Sequence, residues 1–315
     1  MNILIVHAHH EPQSFNGAMT REACSALAAA GHHVVVSDLH SMGFNPVSDR
    51  RNFTTVKNPA FLKQQAEETY ACEHAGFAPD VEAEIAKVLA CDAMIFQFPL
   101  WWFSMPAILK GWIDRVFASG RLYGGGKWYE KGVCHGKRAM IAMTTGGGPS
   151  MYAGRGLNPS LDSILRPIQH GVFWFTGFDV VPPFIAWSAG RASDEQRAAM
   201  LVDYRSHLSE LFTAPAIRYT SLADCDERFV ERVGRFMVAW TWNGPDSPEI
   251  EGLIKAERTL LEAWQAQGVL LERYIAADEC SGWLLLREQS ETTLESRLAT
   301  LPLRRWLDMK VTRVQ

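Results

Sequence analysis

Over roughly the first two-thirds of the chain, short apolar runs of β character alternate with longer segments of helical periodicity. This alternation limits the available folds more than any other feature. Strands separated by helices cannot pair as hairpins, so they assemble as a parallel sheet with helices packed on its faces. The strand candidates are Ile3–His7, Val34–Ser37, Ala93–Phe98, Ala139–Met143 and roughly Asp179–Val181. Between and after them the spacing predicts helices near Asn16–Ala30, Pro79–Leu89, Pro106–Ser119, Ser160–Gln169 and Asp194–Phe212. Pro106 suits a first helical turn, with Ser104 upstream as a capping candidate. The insert from Met42 to Gly76 is polar and proline-punctuated, and is expected to be only partly regular.

The pattern changes near residue 222. Asp224, Asp226, Glu227, Arg228, Glu231, Arg232 and Arg235 crowd one short stretch, read as a solvated connector or a short charged helix. Beyond it, strands are expected at Phe236–Thr241, Leu270–Ala277, Trp283–Arg287 and Asp308–Thr312, with helices at Glu249–Gln267 and Thr292–Ala299. That order, β-α-β-β-α-β, is ferredoxin-like, and about 80 residues suffice for a small domain. The expected division is a domain over 1–222, a charged linker over 223–234 and an α+β domain over 235–315. In the long helix of that domain Ile250, Leu253, Ile254, Leu260, Leu261 and Trp264 form an apolar stripe. Glu257 falls on the stripe, either at its edge reaching water or as a buried acid with a raised pKa.

Composition narrows the function classes. The formal net charge of −4 lacks the basic excess of nucleic-acid binders. No apolar run of about 18 residues is present, so no membrane span is expected. Ile3–Val6 is too short for a secretion signal and reads as a first strand. The six cysteines have no CxxC spacing, which suits reduced thiols in the cytoplasm and argues against zinc. Cys24 and Cys91 sit among apolar neighbours and read as packing residues.

Three loops carry the chemistry. The strand ending at Phe98 breaks at Pro99, presents Leu100, Trp101, Trp102 and Phe103, and restarts as a helix. Open α/β sheets bind ligands at the carboxyl ends of their strands, so these aromatics suit a wall for a flat ring; a buried strand–turn–helix is the plainer account. After the first strand, His9, Ser14, Phe15 and Asn16 run into a helix N-terminus, where backbone N–H groups and hydroxyls can hold phosphate. Ser and Asn there also serve simply as caps. There is no GxGxxG, so a dinucleotide Rossmann site is not indicated. After the fourth strand come Thr144, Thr145, Gly146 and Gly147, where glycine admits a ligand close to the backbone and threonine offers hydroxyls. Together the loops offer what an isoalloxazine needs: a flat apolar wall, polar donors for its edge and a phosphate cradle.

These motifs, in order, resemble the NAD(P)H:quinone oxidoreductase family (DT-diaphorase type) over residues 1 to about 215. The carriers are His9-x4-Ser14-Phe15-Asn16, Ser37-Asp38-Leu39, Phe44-Asn45-Pro46, Phe96-Gln97-Phe98-Pro99-Leu100, Trp102-Phe103, Pro106 to Trp112, Thr144 to Gly147, Ser150-Met151-Tyr152 and Pro167-Ile168-Gln169. The resemblance implies a flavodoxin-like fold, FAD in preference to FMN, NAD(P)H as co-substrate, a quinone acceptor, ping-pong two-electron transfer, and a homodimer with interfacial active sites. It places His9, Ser14, Phe15 and Asn16 on the phosphates and ribityl chain. Pro99, Leu100, Trp102 and Phe103 fall on the isoalloxazine, with Trp101 beside them. Thr144, Thr145, Gly146 and Gly147 fall on its polar edge, and Tyr152 near its pyrimidine.

Three departures stand out. The family's histidine partner of the relay tyrosine is Asn158 here, so Tyr152 acts with water, or a group such as His170 compensates, or the relay is dispensable. One pocket tyrosine becomes Gly125 while Tyr123 keeps its neighbour, and Trp101 and Trp128 replace smaller or more polar residues. Tyr152, Asn158 and Tyr123 are the candidate catalytic positions. The other functions open to this scaffold are a flavin, azo or nitro reductase, a slow flavin-binding redox sensor, and a bifunctional reductase–isomerase.

Residues of about 235–315 resemble the muconolactone isomerase-like group of dimeric α/β-barrel proteins, through Leu253-Ile254-Lys255-Ala256-Glu257, Gln267-Gly268, Leu301-Pro302-Leu303 and Asp308 to Thr312. Glu257, Asp278 and Glu279 are its possible acid–base groups. Trp240, Trp242, Trp283 and Trp306 line a cleft, or else form a small core or a dimer contact.

Overall fold

The computed structural model describes residues 1–153, 156–222, 234–288 and 291–314. It contains two compact units, Met1–Leu222 and Ala223–Gln315. The charged segment 223–233 lies outside the described residues, and Gly234 opens a strand.

In the first unit, β1 (Asn2–His7), α1 (Phe15–Ala29), β2 (His33–Asp38), α2 (Gln64–Glu73) and α3 (Pro79–Ala90) come first. They are followed by β3 (Ala93–Pro99), α4 (Ala107–Val116), β4 (Arg138–Thr144), α5 (Leu161–Ile168), β5 (Asp179–Val180), β6 (Phe184–Ala186) and α6 (Asp194–Ser209). The strands pair in the order β2-β1-β3-β4-β5, all parallel, and β6 pairs with the end of β4. This is the flavodoxin-like doubly wound sheet. Strand side chains alternate between faces, so the two helical layers divide them. Ile3 and Ile5 pack with Met19, Ala23 and Leu27 of α1 and Tyr204 and Leu208 of α6. Leu4 and Val6 pack with Val81, Ile85 and Val88 of α3, Trp112 of α4 and Leu165 of α5.

Several details differ from the expectations. Helix α4 begins at Ala107, with Pro106 just outside it at the cap and no side-chain cap. Ser104 instead exchanges both backbone hydrogen bonds with Trp101. Helix α5 ends at Ile168 and continues as a π-helical turn, Gln169–Trp174. Strand β6 was not expected, because Pro182-Pro183 interrupts the apolar run just before it. In the insert, a 3-10 turn (Arg50–Asn52) and α2 are the regular pieces. Cys91 is buried, and Cys24 of α1 packs half-buried against the core.

In the second unit, β7 (Gly234–Trp242), α7 (Pro248–Ala266), β8 (Leu270–Ile275), β9 (Ser281–Glu288), α8 (Glu291–Leu298) and β10 (Leu307–Val314) form an antiparallel sheet ordered β10-β7-β9-β8. This is the βαββαβ arrangement. Phe236, Val238, Leu284 and Leu286 face Trp264 of α7 and Leu294 and Leu298 of α8.

Candidate functional site

The parallel sheet brings the ends of β1, β3 and β4 to one edge, beside the β1/β3 switch point where doubly wound sheets take ligands. The β1 loop enters α1 at Ser14, whose hydroxyl accepts the Gly17 N–H at 3.1 Å. That bond satisfies one donor of the first turn and leaves the Ser14 hydroxyl proton for a ligand. Among the described residues, the Phe15 and Asn16 N–H groups have no acceptor, so the turn keeps the donors an anion uses. The Phe15 ring turns inward against the core under α1. Gly17 is required by close approach: a Cβ there would lie 2.2 Å from the Pro12 carbonyl oxygen.

His9 receives the Glu11 N–H on Nδ1 at 3.0 Å, so the neutral ring carries its proton on Nε2. Burial, then the neighbouring His10, lowers its pKa. The two rings stack at 4.8 Å, and Trp101 lies 5.8 Å from His9 and 5.9 Å from His10. Trp101 therefore closes against the β1 loop instead of continuing the wall made by its neighbours. Among the described residues, no group of three or more His, Cys, Asp or Glu is arranged to hold a metal ion.

At the end of β3, Pro99 is buried opposite Thr144 in β4, and the Leu100 N–H bonds to the Thr144 carbonyl at 2.9 Å. Trp101 and Ser104 then close a tight hairpin whose central residues, Trp102 and Phe103, sit at φ 52° and 56°. Two consecutive positive φ values suit Asn-Gly; for bulky residues each costs about 1–3 kcal/mol. Trp102 is 97% exposed. The strain holds two aromatic rings at the strand end without burying the first of them.

At the end of β4, Asn16 Nδ2 donates to Thr144 Oγ1 at 2.9 Å, tying the first loop to the third. Thr145 differs from Thr144. Its hydroxyl donates to the Gly147 carbonyl at 2.8 Å, so it braces the loop. Nothing lies within 4 Å of a Cβ built on Gly146, which leaves an open cradle, whereas one on Gly147 would meet Met151 Sδ at 2.7 Å. Tyr152 follows on a 3-10 turn, buried against Trp187 with ring centres 5.6 Å apart. Asn158 joins this turn by donating its N–H to the Met151 carbonyl at 2.9 Å.

Tyr123 does not join this group. It follows α4, whose ten residues carry the chain about 15 Å back along the sheet, toward the amino ends of the strands. There its hydroxyl accepts from Gln65 at 3.4 Å and its ring packs on Phe175 at 5.6 Å. Burial raises its pKa. His170 stands between Tyr129 and Tyr219 in the same aromatic cluster, and among the described residues nothing joins it to Tyr152. Sequence reasoning missed Gln97 and Tyr204, which hydrogen-bond behind Asn16. The available signal was a lone glutamine inside the apolar run from Ala93 to Pro99.

The second unit does not gather its candidates. Trp240, Trp242 and Trp306 pack around Ile250, Leu303 and Leu307 beneath α7, while Trp283 faces out from the other side of the sheet. They do not line one cleft. Glu257 is half-buried, with burial raising its pKa, and it accepts the Leu303 N–H at 2.8 Å. Asp278 accepts the Cys280 N–H in the exposed β8–β9 turn, and Glu279 is exposed beside it.

The residues fit a flat ring with a phosphate tail: an open glycine cradle, a projecting aromatic wall, a helix N-terminus with free donors, and a threonine hydroxyl at the ring's edge. Residues 1–208 match the family model described as the flavodoxin-like fold, and residues 235–315 match that of muconolactone delta-isomerase. The human ribosyldihydronicotinamide dehydrogenase [quinone] is 39% identical over 220 residues, covering 70% of this chain and 95% of that protein. The guinea pig (Cavia porcellus) NAD(P)H dehydrogenase [quinone] 1 is 40% identical over 210 residues, covering 66% of this chain and 76% of that protein. A solved Klebsiella pneumoniae structure, described as a candidate quinone reductase, superposes with a TM-score of 0.68 at 39% identity, covering 70% of this chain and 89% of that one.

Proposed function

Because the chain belongs to the flavodoxin-like-fold family over residues 1–208, with quinone dehydrogenases among its relatives, we propose that it is a flavin-dependent NAD(P)H:quinone oxidoreductase using FAD. The observation that carries this reading is the Asn16–Thr144 hydrogen bond, which fastens the phosphate-type loop to the glycine cradle beside the aromatic wall. The bound flavin would supply two-electron chemistry, so that NAD(P)H, a proton and a quinone give NAD(P)+ and hydroquinone. The protein's own residues bind and orient. The N–H groups of Phe15 and Asn16, the Ser14 hydroxyl and His9 Nε2–H face the phosphates. Leu100, Trp102 and Phe103 flank the ring, and Gly146 admits its edge. Donor and acceptor would take turns at the same site, which would make the kinetics ping-pong.

Tyr152 cannot pass a proton to Asn158, whose amide does not titrate near neutral pH. Its role is to hold the ring edge while water delivers the proton. Tyr123 packs on Gln65 and Phe175, away from the cradle of its own chain, and would complete the site of a second copy in a homodimer. The five described cysteines are free thiols, in keeping with a reducing cytoplasm. In the second unit Glu257 and Asp278 each hold a backbone N–H, Glu279 is exposed, and three of the four tryptophans pack, partly buried, against the small core, which favours a structural or oligomerising role over isomerisation.

The test is to purify the full chain, identify the released flavin by chromatography, and follow bleaching of the bound flavin by NADH, NADPH and dihydronicotinamide riboside. Recovery of colour with quinones follows. Expected are bound FAD, bleaching by at least one donor and quinone-dependent recovery with parallel-line kinetics. A chain that binds neither FAD nor FMN refutes the reading, and bleaching without quinone turnover moves it to a reductase for other acceptors or a redox sensor.

A further inference from the structure

Behind the site runs a line of polar side chains with no place in an apolar core unless it does something. Tyr204 of α6 and Gln97 of β3 are fully buried, Asn16 of α1 is 3% exposed and Thr144 of β4 is 9% exposed. Tyr204 OH donates to Gln97 Oε1 at 3.3 Å, Gln97 Nε2 to Asn16 Oδ1 at 2.9 Å, and Asn16 Nδ2 to Thr144 Oγ1 at 2.9 Å. The chain crosses the sheet from a closed interior to the strand-end crevice.

Its direction is fixed at the buried end. Gln97 Nε2 also points at Met19 Sδ, 3.7 Å away, an atom that accepts and cannot donate. Reversing the Gln97 amide would set its carbonyl against that sulfur. It would also strand the Tyr204 proton in a fully apolar setting, at a cost of about 1–3 kcal/mol. Burial pushes the Tyr204 phenol far above its ordinary range, so the proton stays in place. Each downstream amide then has one orientation, ending at Thr144. Its oxygen accepts from Asn16, which turns the hydroxyl proton away from that amide, and among the described residues nothing accepts the proton.

We propose that Tyr204 and Gln97 are positioning residues that keep the Thr144 hydroxyl proton turned away from Asn16 and available to donate toward the polar edge of the bound flavin, and thereby raise its reduction potential. The inference rests on the flavin reading above. Negative charge gathers on that edge when the ring is reduced, and a donor held in place in advance stabilises the reduced state more than the oxidised one. A freely rotating hydroxyl would supply less, because its proton could turn back toward the protein.

The test uses the full chain loaded with FAD and reads the midpoint potential and the visible spectrum of the bound flavin. Tyr204→Phe keeps the ring volume and removes the first donor. The ratio of reduced to oxidised FAD affinity is expected to fall about 2- to 10-fold, the worth of one neutral hydrogen bond, with a more negative potential. Gln97→Met removes the next link and must act in the same sense, so the test survives a folding failure of either variant. Thr144→Val must give at least as large a shift, and Thr144→Ser must restore the wild-type potential. Tyr204→Phe combined with Thr144→Val must shift no further than Thr144→Val alone, because Tyr204 acts through Thr144. Unchanged potential and spectrum in folded, FAD-loaded Tyr204→Phe overturn the relay, as does additivity in the double variant. A wild-type chain that binds no flavin instead fells the flavin reading, and this inference with it.

Discussion

Replacing Gly17 with alanine sets two physical effects against each other, and the structure says which wins. Gly17 is in the first turn of α1, where helix propensity alone would have alanine stabilise by up to about 1 kcal/mol. The added Cβ, however, would sit 2.2 Å from the Pro12 carbonyl oxygen and 3.0 Å from its carbon. Ordinary contact needs more than 3 Å, so the Pro12 segment must move by on the order of 1 Å. It is not free to do so, because Arg21 Nη1 already holds the same carbonyl at 2.7 Å. Moving α1 instead breaks the Ser14–Gly17 cap, worth about 1 kcal/mol, on top of about 1–3 kcal/mol for overpacking. After the propensity gain is subtracted, the net loss is about 1–4 kcal/mol. For a unit the size of Met1–Leu222 this lowers Tm by about 2–16 °C. Thermal unfolding of wild type and Gly17→Ala, with and without FAD, measures it. The same displacement unseats the phosphate donors, so stabilisation by added FAD should largely vanish. A variant with unchanged or higher Tm and full response to FAD would refute the steric argument.

Other outcomes follow from the same geometry. Trp102→Gly relieves a positive φ and is expected to leave stability unchanged or raise it by about 1 kcal/mol, while FAD affinity or turnover falls about tenfold; denaturant titration and flavin fluorescence read the two effects separately. His7 is buried with Nδ1 2.8 Å from Thr20 Oγ1, and burial lowers its pKa. The unfolded chain therefore protonates first as pH falls below about 6.5, and stability drops from there toward the folded value; His7→Gln should flatten that slope in unfolding scans between pH 7.5 and 5.5. A chain ending at Leu222 should keep both FAD binding and self-association, because Tyr123, the residue that would complete a second copy's site, lies within it; sedimentation measures this directly, and loss of self-association would assign the dimer contact to the second unit.

Much of this arrangement is legible before any coordinates. Alternating apolar runs define β1 to β5 because a strand buried on both faces is apolar at every position, and the glycines after β4 mark where backbone approaches a ligand. The hairpin at Trp102-Phe103 is not legible, because its positive φ values contradict the local preference of both residues. The Ser104 cap fails for the same reason: its backbone is committed to the hairpin before α4 begins. The isolation of Tyr123 from Tyr152 is likewise invisible, since 29 positions of sequence separation say nothing of opposite sheet edges.

The sequence by itself determined the alternating α/β pattern of the first unit, the βαββαβ pattern of the second and the three loops that meet at one sheet edge, because periodicity and turn chemistry are local properties. Tertiary structure decided which hydroxyl remains free. Thr144 and Thr145 are adjacent and chemically identical, yet one is spent on the Gly147 carbonyl and the other accepts from Asn16 with no acceptor for its own proton among the described residues. That difference arises from Tyr204, Gln97 and Asn16, drawn from three separate elements. Hydrogen-bond direction passes through space, and no pattern along the chain encodes it.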